Sequence, residues 1–204
     1  MAQATGKRSG RRIGAPDAKN RGVLLDAAEQ LMLEDGYAAV SSRRLAERAG
    51  LKPQLVHYYF RTMDDLFLEV FRRRAEQGLK AQAQALDSPK PMWTLWRIGT
   101  DPATSRFMME FSALANHRKS MRAEIAHYAE RFREEQWRTL AAALSRYDTD
   151  PEAMPPIVWS VLFTSLSTVL AMERGLGMSL GHAETVEIVE RYLQRLEGDP
   201  PPED

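Results

Sequence analysis

Apolar positions recur every three to four residues through nearly the whole chain. Val23, Ala27 and Leu31, with Leu24 and Ala28 beside them, form a stripe that predicts a helix from about Arg21, closed at Gly36. Leu45, Ala46 and Ala49 mark a second, short helix that Ser41 or Ser42 can cap and Gly50 ends. Pro53 opens a third of about seven residues, since its missing N–H costs nothing at a first helical position. Thr62 followed by Asp65 makes a capping box for a fourth helix, with Leu66, Val70 and Phe71 inward, running to about Leu86.

Past Pro89 and Pro91 the register changes. Trp93 to Ile98 predicts a short helix, and Asp101-Pro102 starts another through Phe107, Met108, Phe111 and Leu114. Residues 119–146 carry one long stripe of Met121, Ile125, Tyr128, Phe132, Leu140 and Leu144. "DTDPEAMPP" breaks it. Residues 157–173 are apolar on nearly all sides, and 183–197 are amphipathic, with Val186, Val189, Leu193 and Leu196 on one side. "GDPPPED" reads as a frayed tail. No strand signal and no internal repeat stands out, so the expected fold is all-α. Its expected parts are a basic arm (1–20), a three-helix domain (21–66), a larger helical domain (67–198) and a tail (199–204).

Composition narrows the possibilities. The 204 residues suffice for a real core, and without cysteine there is neither a disulfide framework nor a thiolate metal site. No apolar run of membrane-spanning length free of charge is expected, nor a secretory signal behind the basic N-terminus, so cytoplasm is the expected compartment. Net charge is zero, yet residues 1–61 hold eleven cations against six anions, and the remainder balances them. That split fits a polyanion-binding module on an acidic body.

Residues 42–60 have the spacing of a helix-turn-helix. Ala46 is small where two helices would cross, Gly50 tolerates the positive φ of a sharp turn, and Leu51 and Val56 supply buried contacts. With Val56, Tyr59 and Phe60 inward, the outer face holds Lys52, Gln54, Leu55, His57 and Tyr58. A helix in a major groove suits that set: Gln for base edges, Leu for a thymine methyl, and Lys, His and Tyr for phosphates. The free N–H groups behind Pro53 can meet a backbone phosphate. An ordinary turn with a solvated polar face is the competing reading, and the small–Gly–aliphatic spacing disfavours it.

"G36-Y37…S41-S42-R43-R44-L45-A46…A49-G50-L51…H57-Y58-Y59-F60…D64-D65-L66" resembles the N-terminal domain of the TetR family of transcriptional regulators, over about residues 21–70. The resemblance implies a homodimer, a palindromic double-stranded DNA operator, and a C-terminal domain whose small effector releases DNA, the protein acting as a repressor. It adds Ser41, Ser42, Arg43, Pro53, Arg61 and Thr62 to the expected DNA-contacting set. Departures from the family pattern are Lys52 for a usual Ser, Gln54-Leu55 for Gly-Thr, His57 for the first Tyr, and Met63 for a frequent Lys. They leave the operator sequence open.

In the C-terminal part, Trp93, Trp96, Phe107, Met108, Phe111, Tyr128, Trp137, Phe163 and Met172 are candidates to line an apolar cavity or simply to fill a core. His127 or the Tyr128 hydroxyl is the candidate to orient a ligand. Trp159, Phe163, Leu166, Leu170, Val189 and Leu193 are the expected dimer face. Glu124-x-x-His127 has the ligand spacing of ferritin-like di-iron bundles, but those sites need two such motifs and the other histidines lack one. No enzyme, metal site or cofactor is therefore expected. The rival to a regulator is a helical adaptor that does not bind DNA, with a metal-dependent bundle enzyme a distant third.

Overall fold

The computed structural model describes residues 19–147, 152 and 154–202. The basic arm expected at 1–20 lies outside them, save residues 19 and 20, as do residues 148–151 and 153 of the breaker at 148–156. The chain forms two compact units, Met1–Val70 and Phe71–Asp204. Among the described residues the regular structure is helical throughout.

In the first unit, α1 (Lys19–Asp35) leads through a 3-10 turn at Tyr37–Ala39 to α2 (Ser42–Arg48) and α3 (Pro53–Tyr59), and residues 63–70 of α4 (Met63–Leu86) close it. α1 begins two residues before the expected Arg21. Its core is Leu24, Ala28 and Leu31 from α1, Leu45 and Ala46 from α2, Val56 and Phe60 around α3, and Leu66, Phe67 and Val70 from α4. Ser41 Oγ accepts from the Arg44 amide at 3.3 Å and starts α2. The Thr62 amide donates to Asp65 Oδ2 and the Asp65 amide to Thr62 Oγ1, both at 3.1 Å, a reciprocal capping box.

The second unit comprises residues 71–86 of α4, then α5 (Pro91–Thr100), α6 (Pro102–His117), α7 (Lys119–Leu144), α8 (Pro156–Gly175) and α9 (His182–Glu197). Asp101 caps α6, its Oδ2 accepting from the Thr104 amide at 2.8 Å. Trp93, Trp96, Leu140, Phe163, Leu170 and Leu193 share one buried cluster between α5, α7, α8 and α9. Phe71, Phe107, Phe111 and Tyr128 form a second aromatic group, with centroids 4.6–5.6 Å apart for Phe107–Phe111, Phe71–Phe111 and Phe71–Tyr128. Such pairs add about 0.5–1.5 kcal/mol each beyond simple burial. Gly99 lets α5 lie against α8, because a Cβ there would stand 2.6 Å from Ser167 Oγ.

α8 has membrane-spanning length and a hydropathy of 1.4 over its best window, yet Glu173 and Arg174 near its end leave no stretch of 18 residues in it free of charge, and its other polar residues are small Ser and Thr. Two of them return their hydroxyls to the helix itself, Thr164 to the Ser160 carbonyl and Ser167 to that of Phe163, at 2.8 and 2.7 Å. The tail does not fray through residue 202. Lys90 Nζ donates to the Asp199 carbonyl, Trp93 Nε1 to that of Gly198, and Arg97 to those of Pro201 and Pro202.

Ion pairs tie α4 to α7. Arg131 Nη1 and the Tyr128 hydroxyl donate to Glu76 Oε1 at 2.6 and 2.8 Å, and Arg72 grips both Glu124 oxygens at 2.6 and 2.9 Å. The Arg131 and Tyr128 hydrogen bonds hold Glu76 below its ordinary 4.5, and Arg72 does the same for Glu124. A carboxylate whose folded pKa is depressed adds stability above its unfolded pKa and loses it as pH falls through the folded value. Below pH 4.5 the unfolding midpoint of the native chain should therefore fall more steeply than that of a Glu76→Gln/Glu124→Gln variant. Parallel acid limbs would mean that these half-exposed pairs add nothing to stability.

Candidate nucleic-acid interface and effector cavity

The turn between α2 and α3 is a Schellman motif. The Gly50 amide donates to the Glu47 carbonyl at 3.1 Å and the Leu51 amide to that of Ala46 at 2.9 Å, with Gly50 at φ +64°. A side chain at Gly50 would be strained by backbone conformation alone, since nothing crowds its Cβ position. Lys52 precedes α3 with no capping oxygen and Pro53 sits in its first turn, so the helix start is polar and open.

Val56 and Phe60 are buried and fix the rotation of α3. Lys52, Pro53, Gln54, His57 and Tyr58 are then exposed, together with Ser41, Arg43, Arg61 and Thr62, while Ser42 and Leu55 are half-buried. Tyr59 is only half-buried, not inward as expected, and stands edge-on to the Tyr58 ring at 5.0 Å. The short helix leaves it at the rim of the unit.

Not every cation of this unit faces outward as free charge. Arg44 Nη2 bonds Asp35 at 2.7 Å, Arg48 forks onto Glu34, Arg21 pairs with Glu69, and Arg61 lies 3.9 Å from Asp65. The Arg48 guanidinium holds the Glu34 carboxyl below its ordinary value. Arg43 and Lys52 make no ion pair among the described residues. Sequence reasoning counted all these charges alike, because the partners on α1 and α4 are identified only once the helices are packed.

The second unit holds a cavity of about 820 Å³ between α4, α5, α6 and α7, within the range of small-molecule sites. Phe107, Met108 and Tyr128 line it, with Phe71, Ile125 and Phe132. The other expected ligand residues lie elsewhere. Trp93, Trp96 and Phe163 belong to the second unit's core cluster, and Phe111 is buried behind the cavity wall. His127 is exposed on α7, and Trp137 and Met172 are exposed too. Side-chain type alone could not separate a wall from a core. Missed by sequence reasoning were the polar members Arg74, Gln77, Gln82, Thr94, Arg97 and Asp101.

One face of α8 buries Ser160, Phe163, Ser167 and Leu170, while Val158, Leu162, Leu166 and Val169 are bare on another, next to Ile188 of α9. A small groove of Trp159, Leu162, Leu166, Val189 and Tyr192 runs along that side. Of the expected dimer residues, Phe163, Leu170 and Leu193 face the unit's own interior instead.

Residues 24–70 match the family model described as bacterial regulatory proteins, tetR family. The HTH-type transcriptional activator FasR of Mycolicibacterium smegmatis is 32% identical over 83 residues, 41% of this chain and 37% of that protein, so the match spans well under half of that relative's length. The reduced form of Escherichia coli NemR superposes with a TM-score of 0.70 at 14% identity, covering 90% of this chain and 100% of that one. A transcriptional regulator from Saccharomonospora viridis, described as such in provisional terms and solved in complex with choline, gives 0.70 at 17% identity, covering 85% and 93%. At those identities the structures speak for the fold alone. The family match lies on the Schellman turn and α3, and it identifies residues 24–70 as the N-terminal domain of the tetR family of bacterial regulatory proteins.

Proposed function

We propose that this chain is a homodimeric transcriptional regulator that binds a palindromic operator through α3 and is released by a small, largely apolar effector. In this reading residues 21–66 bind DNA, residues 67–198 bind the effector and pair the two copies, and the protein acts in the cytoplasm. The observation that carries it is the exposed row Lys52, Gln54, His57 and Tyr58 on a helix whose rotation Val56 and Phe60 fix. Unpaired Arg43 and Lys52 supply phosphate contacts beside it.

The bare face of α8 supports a second copy as partner. A spanning helix would be apolar all round, whereas this one keeps its other face for the bundle. A two-fold axis through Leu162, Leu166 and Val169 would bury that face against itself. The cavity walls support the apolar effector, and a similar fold holding choline supports a small organic molecule as occupant. Repression is the direction proposed. The M. smegmatis relative is described as an activator, and deleting the gene separates the two, since loss of a repressor raises target transcripts.

Footprinting on the DNA upstream of the protein's own gene tests the reading. Two protected segments in inverted repeat, centred about one helical turn of 10–10.5 bp apart or a multiple of it, are the expected result. A single protected segment, or uniform protection without a boundary, would contradict a palindromic site read by a dimer.

A further inference from the structure

The cavity carries three charged side chains at its lining, Arg74, Arg97 and Asp101, so its balance is positive. Asp101 is already engaged as the cap of α6. Burial pushes its carboxyl up, but hydrogen bonds from Thr104 and the Ala103 amide, with Arg74 nearby, outweigh that and keep it ionised. The remaining polar lining is neutral, and the walls are Phe71, Ala75, Phe107, Ile125 and Phe132.

Pro201 and Pro202 cover part of the same cavity. The chain reaching them is held unevenly. Its inner part is pinned: Glu197 accepts from the Met92 and Trp93 amides at 3.1 Å and from the Tyr147 hydroxyl at 2.8 Å. Trp93 Nε1 donates to the Gly198 carbonyl at 3.0 Å, and Gln194 to Asp199 Oδ1 at 2.7 Å. Beyond Asp199 come three prolines, which have no N–H to donate and restrict the backbone to stiff, extended forms. Among the described residues only Arg97 bonds to them, one Nη1 shared between the Pro201 and Pro202 carbonyls at 3.4 and 3.3 Å. These are long, single-nitrogen contacts to neutral acceptors. A carboxylate would take the same guanidinium through two charge-assisted bonds.

We propose that the effector is an apolar carboxylate whose head group takes Arg97 from the Pro201 and Pro202 carbonyls, so that residues 200–202 form a strap that leaves the cavity rim when the site fills. This rests on the effector reading of the cavity and names the chemistry that reading leaves open. Arg97 is then the group that reads the head, and the aromatic walls read the chain. The strap turns about Asp199, where the pinned part ends.

Calorimetric titration of the full chain with dodecanoate, dodecanol and dodecyltrimethylammonium, all below micelle formation, tests this. Dodecanoate should bind about ten- to a hundredfold tighter than dodecanol, and Arg97→Gln should remove that advantage. Arg97 is exposed, so the variant should melt as the native chain does. Truncation after Asp199 removes the competing carbonyls and should leave dodecanoate binding as tight or tighter. Weaker dodecanoate binding in the truncated chain would overturn displacement of the strap. Binding of the alcohol or the ammonium as tightly as the acid, or an Arg97→Gln variant that keeps the preference, would overturn the anion assignment while retaining an effector cavity. No heat with any of the three would overturn both. The DNA-binding reading is measured without effector and stands apart from all of these outcomes.

Discussion

Replacing Leu166 and Val169 together with glutamate is expected to turn the proposed homodimer into a folded monomer. Both side chains are open in the protomer, at 36% and 44% exposure, so a lone chain can carry two more carboxylates there in water. In a two-fold dimer the same change places four carboxylates in an apolar interface. An unpaired charge so buried costs several kcal/mol, so the dissociation constant should rise at least about a thousandfold. Sedimentation velocity reads the result, with the thermal midpoint as the check on folding. Leu193→Glu should behave differently. Leu193 is fully buried among α5, α8 and α9, so that charge should unfold the protomer, at a cost of about 3–5 kcal/mol. A double variant at 166 and 169 that stays dimeric would place the interface elsewhere.

Gln54→Ala is expected to lose specific affinity by about 1–3 kcal/mol per half-site and to relax preference at one base pair in each. Gln54 sits in the first turn of α3, exposed, where an amide can pair with both an adenine N6 and its N7. Tyr58→Phe should instead weaken specific and random DNA by similar factors. In the proposed docking its hydroxyl meets phosphate, and phosphate contacts carry no sequence. Both variants should fold normally, because the buried anchors Val56 and Phe60 are untouched. Binding to a set of singly substituted duplexes distinguishes the two. If Tyr58→Phe altered base preference and Gln54→Ala did not, the rotation of α3 in the groove would be wrong.

The helices were legible because local chemistry marks their ends. Ser41, Gly50, Pro53 and the Thr62–Asp65 pair act within a few residues of themselves, and each does in the fold what its neighbours suggest. The exposed face of α3 was legible for the same reason, since buried Val56 and Phe60 set the direction of the rest of a seven-residue helix. The cavity was much less so. Trp96 and Phe163 belong to a core while Phe107 and Tyr128 line a hole, and nothing in an apolar side chain tells those fates apart before packing is known. The prolines after Asp199 read as a loose end because their partner, Arg97, lies about a hundred residues away in sequence. Leu193 has the spacing of an interface residue but turns toward α5 and α8. An amphipathic stripe shows that a face is buried without showing against what.

Reading of DNA sequence by α3 is tested most directly by the ratio of specific to random affinity. Fluorescence anisotropy with a duplex from upstream of the protein's own gene, and with a shuffled duplex of equal composition, gives that ratio across a salt series. A regulator should hold its own site at least about a thousandfold tighter, with both affinities falling linearly in log salt. The advantage should collapse in a Lys52→Ala/Gln54→Ala/Tyr58→Phe variant that melts like the native chain. Equal affinity for the two duplexes at every salt concentration, or an advantage that survives the triple change, would contradict it.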